Sequence, residues 1–274
     1  MEHIQLPEKY QVKKISENEA DIIIEPFYPG YGTTVGNALR RVLLSSLSGA
    51  AVTAFKIKGA SHEFSTIKGI KEDLVEIILN LKGLRFKLHD VEETRVSIKV
   101  KGEKKVKAKD IKTTPEIEVV NPENDIATIT DKETELEMEL IVQAGRGYVP
   151  VENIEKKKFE LGTIVIDAIF SPVKNVNFEV ESVRVGQMTN YDRLIMKILT
   201  DGTITPEDSL TAASQILEEH FKSLINLQKH SSETPSHDLT EVAEVKKSEP
   251  ESPVEEKSVD EKPKKKRGRP KKES

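Results

Sequence analysis

The chain has 274 residues, 36% hydrophobic and 32% charged, with a net charge of −5 at pH 7. That length supports one or two domains with a real core, and the low apolar share leaves part of the chain outside it. The acidic balance excludes a chain that coats nucleic acid along its whole length. There is no cysteine, hence no disulfide framework and no thiolate metal site, and the six histidines never fall in a His-x-x-x-His or similar pair. No cofactor is expected in this chain. Met1 to Pro7 lack the basic region and apolar run of a secretory signal, and no stretch is long and apolar enough to span a membrane. The expectation is a soluble cytoplasmic protein.

Tyr10 to Ile15 and Asp21 to Glu25 read as strands separated by a turn at Ser16 to Glu19. Gly30-Tyr31-Gly32 then makes a loop, with Thr33 or Thr34 as N-cap of a helix that runs to about Leu47. Gly49 is expected to close it in the left-handed conformation. Val35, Ala38, Leu39, Val42, Leu43 and Leu47 follow helical spacing. Leu44 does not: it falls beside Arg40 and Arg41, on the face that should be wet. A helix apolar beyond its core face is covered from more than one side, here by its own domain and by other chains.

Ala51 to Ile57 reads as a strand, and residues 71–82 as an amphipathic helix with Leu74, Ile77, Ile78 and Leu81 inward. Lys71-Glu72-Asp73 places acid in its first turn, and Gly83 stops it. From Leu84 to Gln143 short alternating runs separated by Gly, Pro, Asn and Asp predict strands. The lysines between Lys99 and Lys112 fit a solvated sheet edge better than a basic binding patch. Val151 to Glu160 reads as a loop, Gly162 to Pro172 as an apolar run ended by a turn, and Val176 to Val185 and Tyr191 to Thr200 as strands. Asp201-Gly202 makes a tight turn. Thr205-Pro206-Glu207-Asp208 is a strong helix start. That helix runs to about Gln228, with Leu210, Leu217 and Leu224 seven residues apart and Ile216, Phe221 and Ile225 in a neighbouring stripe. Two stripes on one helix fit an intrachain face and an interchain face, and equally a single wide core face.

Residues 230–261 are rich in Ser, Glu, Pro and Lys and carry too little apolar surface to offset the entropy of ordering, so this segment is expected to be a disordered acidic linker. It leads to Lys264-Lys265-Lys266-Arg267-Gly268-Arg269-Pro270, which resembles an AT-hook. There Gly permits close approach to the floor of an A·T minor groove, Pro keeps the backbone extended, and the flanking arginines suit the groove's negative potential. A non-specific polycation is the alternative.

No catalytic constellation is visible. There is no Asp-x-Asp pair to hold two metal ions. Glu72-Asp73, Glu92-Glu93 and Glu218-Glu219 are neighbours whose side chains point apart, and Ser45-Ser46 has no nearby His. A dinucleotide site at Gly30-x-Gly32-x-x-x-Gly36 is disfavoured. Pro26 and Pro29 lengthen the turn, the next strand ends in Lys56 and Lys58 where a ribose-binding carboxylate belongs, and no further β-α-β alternation follows.

Gly32-Thr33-Thr34-Val35-Gly36-Asn37-Ala38-Leu39-Arg40-Arg41-Val42-Leu43-Leu44-Ser45-Ser46-Leu47 resembles the signature of the bacterial RNA polymerase alpha subunit. So do, in the same order, His62 to Thr66, Lys71-Glu72-Asp73 leading into Glu76 to Lys82, Gly145-Arg146-Gly147-Tyr148-Val149-Pro150, and Asp201-Gly202-Thr203-Ile204. Together these blocks span about Ile22 to Leu227. The resemblance implies an α+β, two-lobed assembly domain over 1–229, followed by the tail at 230–274. A helix-plus-sheet dimerisation lobe would comprise about 1–50 and 171–229, and an inserted β-rich lobe about 51–170. It implies a homodimer that gathers the beta and beta-prime subunits, with the small omega subunit in the complex. The active site of nucleotidyl transfer would then lie in the large subunits, and the complex would sit on the nucleoid. By motif Arg41 and Leu44 dock the beta subunit. Val35, Leu39, Leu43, Leu210, Leu217, Phe221 and Leu224 are the expected dimer contacts. The sequence departs from the family at Phe27-Tyr28-Pro29, where an acidic-basic pair is usual, and in having no recognisable C-terminal helical domain for DNA and activators. A free-standing architectural protein that binds DNA through the basic tail is the rival reading.

Overall fold

Two hydrophobic cores organise the computed structural model, which describes residues 4–225 except 61, 155–158 and 161. The first core lies under a four-stranded antiparallel sheet made of β1 (Lys9–Lys14), β2 (Glu19–Phe27), β14 (Val173–Val185) and β15 (Met188–Thr200), in the order β1-β2-β15-β14. Two helices, α1 (Tyr31–Ser45) and α3 (Pro206–Ile225), cover one face. The strands alternate as period two requires. Ile22, Leu194, Met196, Ile198 and Val176 point into the core with Leu39, Leu43, Leu210 and Ala213 of the helices. Across the opposite face Arg193 bridges Glu25 and Glu181, and Lys197 meets Glu179 at 2.8 Å.

The second core is built from the chain between these halves. β3 (Ser48–Ile57), β4 (Phe86–Leu88), β5 (Glu93–Lys101), β7 (Ile111–Lys112), β8 (Ile117–Val119) and β10 (Glu135–Arg146) pair in the order β7-β5-β10-β3-β4-β8. The short β12 (Ile164–Val165) adds to β3. β6 (Lys104–Lys107) pairs with β9 (Asp125–Ile129), and β11 (Tyr148–Val149) with β13 (Ala168–Ile169). Helix α2 (Leu74–Lys82) packs on the same apolar face. Leu136, Met138 and Leu140 of β10 lie on that face beside Val96 and Ile98 of β5. The wet face carries Glu135, Glu137 and Glu139, which pair with Lys99, Lys58 and Arg95 at 3.4–3.5 Å. The lysines of 99–112 are held likewise: Lys104 on Asp110 at 2.6 Å, and Lys107 and Lys109 on Glu123 at 2.7 and 3.1 Å.

Local signals are met in most places and corrected in a few. Thr205 caps α3, its Oγ1 accepting from the Asp208 N–H at 3.1 Å, with Pro206 in the first helical position. Helix α2 starts at Leu74, because Asp73 is its N-cap and accepts from the Glu76 N–H at 2.8 Å. Glu72 lies outside the helix and holds the N–H and hydroxyl of Thr128 instead, at 2.6 and 2.8 Å. Gly49 is not the C-cap of α1. The helix ends at Ser46, whose N–H returns to the Val42 carbonyl, and Gly49 sits inside β3. A Cβ there would stand 2.0 Å from the carbonyl oxygen of Phe170, so glycine is needed where the chain enters and leaves the second core. The tail from 226 onward, with the linker and AT-hook-like residues, lies outside the described residues.

Candidate functional site

Helix α1 is the centre of the candidate site. Its start is set from far away. The N–H groups of Gly30 and Gly32 donate to Asp192 Oδ2 on β15 at 2.9 and 3.1 Å. Gly30 is the N-cap residue, in the left-handed conformation at φ 84°, and offers no side chain. Thr33 and Thr34 are therefore not caps; the Thr34 hydroxyl donates back to the Gly30 carbonyl at 3.2 Å. The glycines also admit the sheet. A Cβ on Gly32 would lie 2.9 Å from Asp192 Cβ, and one on Gly36 would lie 2.7 Å from the Phe178 ring and 2.9 Å from Leu194. Here the Gly-x-Gly-x-x-x-Gly spacing serves helix-on-sheet packing. The helix N-terminus, the usual seat of a phosphate, already holds a carboxylate, and β2 lies between antiparallel neighbours. Both facts remove the dinucleotide reading.

The far end of α1 presents the residues singled out by the signature. Arg40 and Arg41 are exposed, and neither has an ion-pair partner among the described residues. Leu44 is 37% exposed. The Ser45 hydroxyl donates to the Arg41 carbonyl at 2.7 Å, and the Ser171 hydroxyl donates to the Leu44 carbonyl at 3.2 Å. The end of the helix is thus tied to the segment that returns from the second core. The Gly145-to-Pro150 block runs beside it. Gly145 receives the Phe170 ring, Gly147 takes φ 66° and its carbonyl accepts from the Phe170 N–H at 2.8 Å. Tyr148 and Ile169 face each other across β11 and β13, and both are exposed. The motif marks this block in the sequence, but no local pattern in it announces the contact with Phe170.

The expected dimer residues divide. Leu39, Leu43 and Leu210 lie within the chain's own core, at most 5% exposed: periodicity identifies an apolar face but not which chain covers it. Val35 and Leu217 are half-buried and line a groove of about 580 Å³ between α1 and α3, together with Phe221 and Ile225. Phe221 and Leu224 are each 59% exposed and Ile225 is 74% exposed. The packing of α3 changes along its length. Its first half, through Leu217, packs on the chain's own core, and the turns from Glu218 to Ile225 stand clear of it.

Among the described residues no group of His, Asp and Glu could hold a metal ion, and no helix is long and apolar enough to cross a membrane. What the site offers is surface: an apolar groove with an apolar helix end beyond it, and guanidinium groups beside Leu44.

Comparison with known proteins agrees with the motifs. Residues 55–171 match the family described as RNA polymerase Rpb3/RpoA insert domain. The DNA-directed RNA polymerase subunit alpha of Geobacter metallireducens is 49% identical over 222 residues, covering 80% of this chain and 65% of that protein. The subunit of the same name from Carboxydothermus hydrogenoformans is 48% identical over 219 residues, 80% of this chain and 70% of its own. That of Salinibacter ruber is 42% identical over 259 residues, 94% of this chain and 73% of its own. The chain thus spans about two thirds of the length of such relatives. Identity at this level over most of the chain, with the signature blocks in order, decides the family: the chain belongs to the alpha subunits of DNA-directed RNA polymerase.

Proposed function

We propose that the chain is the assembly scaffold of a DNA-dependent RNA polymerase. It forms a homodimer that gathers the beta and beta-prime subunits, with the small omega subunit in the complex, for the synthesis of RNA on DNA from ribonucleoside triphosphates. The observation that carries this reading is the α1–α3 pair. An apolar groove between the two helices continues into the uncovered residues Phe221, Leu224 and Ile225, and large apolar surface of this kind marks an interaction site. A second copy supplies the same surface, and self-complementary patches close as two-fold dimers. The first core, about 1–50 and 171–229, acts as the dimerisation lobe, and the second, about 51–170, as the inserted lobe.

Arg41 and Leu44 dock the beta subunit. A guanidinium without an acidic partner among the described residues, next to an apolar side chain, suits a carboxylate set in an apolar surface. The chain contributes no catalytic group and no cofactor; nucleotidyl transfer belongs to the large subunits, in the cytoplasm on the nucleoid. The tail Lys264 to Pro270 adds a DNA contact of the AT-hook type.

The test is light scattering of the isolated chain at micromolar concentration, followed by reconstitution with the large subunits. A dimer that captures beta and then beta-prime is expected. A monodisperse monomer, or a dimer that captures neither, overturns the reading in favour of a free-standing DNA-binding protein.

A further inference from the structure

Every α-helix begins with N–H groups that have no partner inside the helix. Helix α1 brings neither a capping side chain nor an acid in its first turn. Both are supplied by Asp192, more than 150 residues away in sequence. A single carboxylate oxygen accepts two of the free N–H groups and puts negative charge at the positive end of the helix dipole.

The local geometry is arranged around this contact. Asp192 lies on the helix-covered face of β15, in the same row as Leu194, Met196 and Ile198. The pairing of β15 with β2 shifts between Asp192 and Leu194, where β2 carries one extra residue and β15 keeps its alternation, so Asp192 stays on the helix-covered face. Gly32 leaves room for the carboxylate, and its Cβ position would also lie 3.1 Å from Val180 of β14. Beside it Tyr28 meets Tyr31 and Tyr191 edge-on, with both ring centroids at 6.1 Å.

We propose that Asp192 is a positioning residue: it pins the N-terminal end of α1 to the β14–β15 hairpin and so sets the direction in which the helix presents Arg41 and Leu44 to the beta subunit. This rests on the docking role proposed above for those two residues. A straight helix transmits the orientation of its anchored end. Leu39, Leu43 and the Ser171 bond to the Leu44 carbonyl hold the far end, so a tilt of about 10° about that hold displaces side chains that reach roughly 6 Å from the helix axis by about 1 Å. A recognition site tolerates only about 0.5 Å. The carboxylate is therefore worth more to docking than to the stability of the core, which Leu39, Leu43 and Leu47 hold independently.

The test compares Asp192→Ala, Asp192→Asn and Asp192→Glu with Arg41→Ala, all in the full chain. The readouts are dimer mass, melting temperature, amide exchange over residues 30–35 and capture of purified beta subunit. Asp192→Ala is expected to stay dimeric, to exchange about five-fold or more faster over 30–35, and to capture beta several-fold less well. Asp192→Asn keeps an acceptor oxygen and should restore capture. Asp192→Glu keeps the charge but moves the carboxylate by one methylene from its place on the Gly30 and Gly32 N–H groups, so it should impair capture.

Normal capture by Asp192→Ala alongside failure of Arg41→Ala overturns the positioning role and leaves the docking role standing. Normal capture by both overturns both. Should Asp192→Ala not fold, the Asn and Glu variants decide. Capture by Asn with loss in Glu supports the positioning role, and equal capture by the two overturns it.

Discussion

The Arg85 guanidinium meets the Asp201 carboxylate at 3.3 Å, across the seam between the two cores. Arg85 stands just after α2 and donates to the Lys82 and Leu84 carbonyls, both at 2.8 Å. Asp201 follows β15; its other oxygen accepts from the N–H and hydroxyl of Thr203 at 2.9 and 2.6 Å. Gly202, at φ 98°, turns the chain so tightly against Asn18 and Val120 that a Cβ would lie within 3.4 Å of both. The Asp201-Gly202-Thr203 block is thus a latch between the two cores.

Breaking the latch from one side should be costly. The Asp201 side chain is only 5% exposed, so Arg85→Ala strands a buried charge and should lower stability by about 3 kcal/mol. Urea unfolding of Arg85→Ala, Asp201→Asn and the double variant measures the coupling. A value above about 1 kcal/mol is expected for residues in contact. Simple additivity would mean that the pair holds nothing.

Substitutions at the free end of α3 should separate assembly from folding. Phe221→Asp with Leu224→Asp places charge on side chains that stand clear of the chain's own core. The variant should unfold at the same urea midpoint when extrapolated to low protein concentration, yet run as a monomer by light scattering, because unpaired charge cannot be buried at an interface. Retention of the wild-type dimer mass would move the interface elsewhere. Leu43→Asp serves as the contrast: it lies in the core and should abolish folding outright.

Glu72 should make stability depend on pH in the acid range. Burial acts to raise its pKa, but the hydrogen bonds from the N–H and hydroxyl of Thr128 outweigh it and hold the carboxyl below its ordinary value. A depressed carboxyl contributes stability that is fully present above its unfolded pKa, about 4.3, and is lost as pH falls through the lower folded value. Glu72→Gln should therefore be less stable than wild type by about 1 kcal/mol at neutral pH. The gap should close as pH drops below about 4. Urea titrations at neutral and acid pH follow it; a gap of constant size would remove the ionised form from the account.

Deleting residues 262–274 tests the tail. Dimer formation and basal RNA synthesis by the reconstituted enzyme should be unchanged. Binding to A·T-rich duplex should fall more than binding to G·C-rich duplex, as the fit of Arg267 and Arg269 to a narrow minor groove requires. Salt sensitivity does not discriminate, since any run of lysines gives it. Equal loss on both duplexes would leave Lys264, Lys265 and Lys266 with their neighbours as a plain polycation.

What the sequence revealed follows the range of the forces involved. The start of α3 was legible because Thr205, Pro206 and Asp208 act on one another within four residues. The longer strands of both sheets were legible from alternation, which each strand carries in itself, whereas the two-residue β7 and β12 were not. The cap of α1 was not, because its acceptor arrives on β15 and no local pattern announces it. Nor was the function of Gly49, which answers to the Phe170 carbonyl. Leu44 stood out correctly as exposed, since its neighbours Arg40 and Arg41 mark the wet side of the same helix. That Leu39, Leu43 and Leu210 are buried in the chain's own core was not legible, because an apolar stripe looks the same whether the chain itself or a second copy covers it.

The nesting of one core inside the other imposes an order of synthesis. The seven-stranded sheet draws all its strands from residues 48–165 and can close while the ribosome is still adding the rest. The four-stranded sheet cannot. Its second strand, β2, is made early but must wait for β15, and α1 has no acceptor for its first N–H groups until Asp192 has emerged. In a growing chain the signature helix therefore stands beside a finished neighbour with its own seat unbuilt. The seat of α1 and the groove it shares with α3 are completed only after β15 and then α3 have emerged.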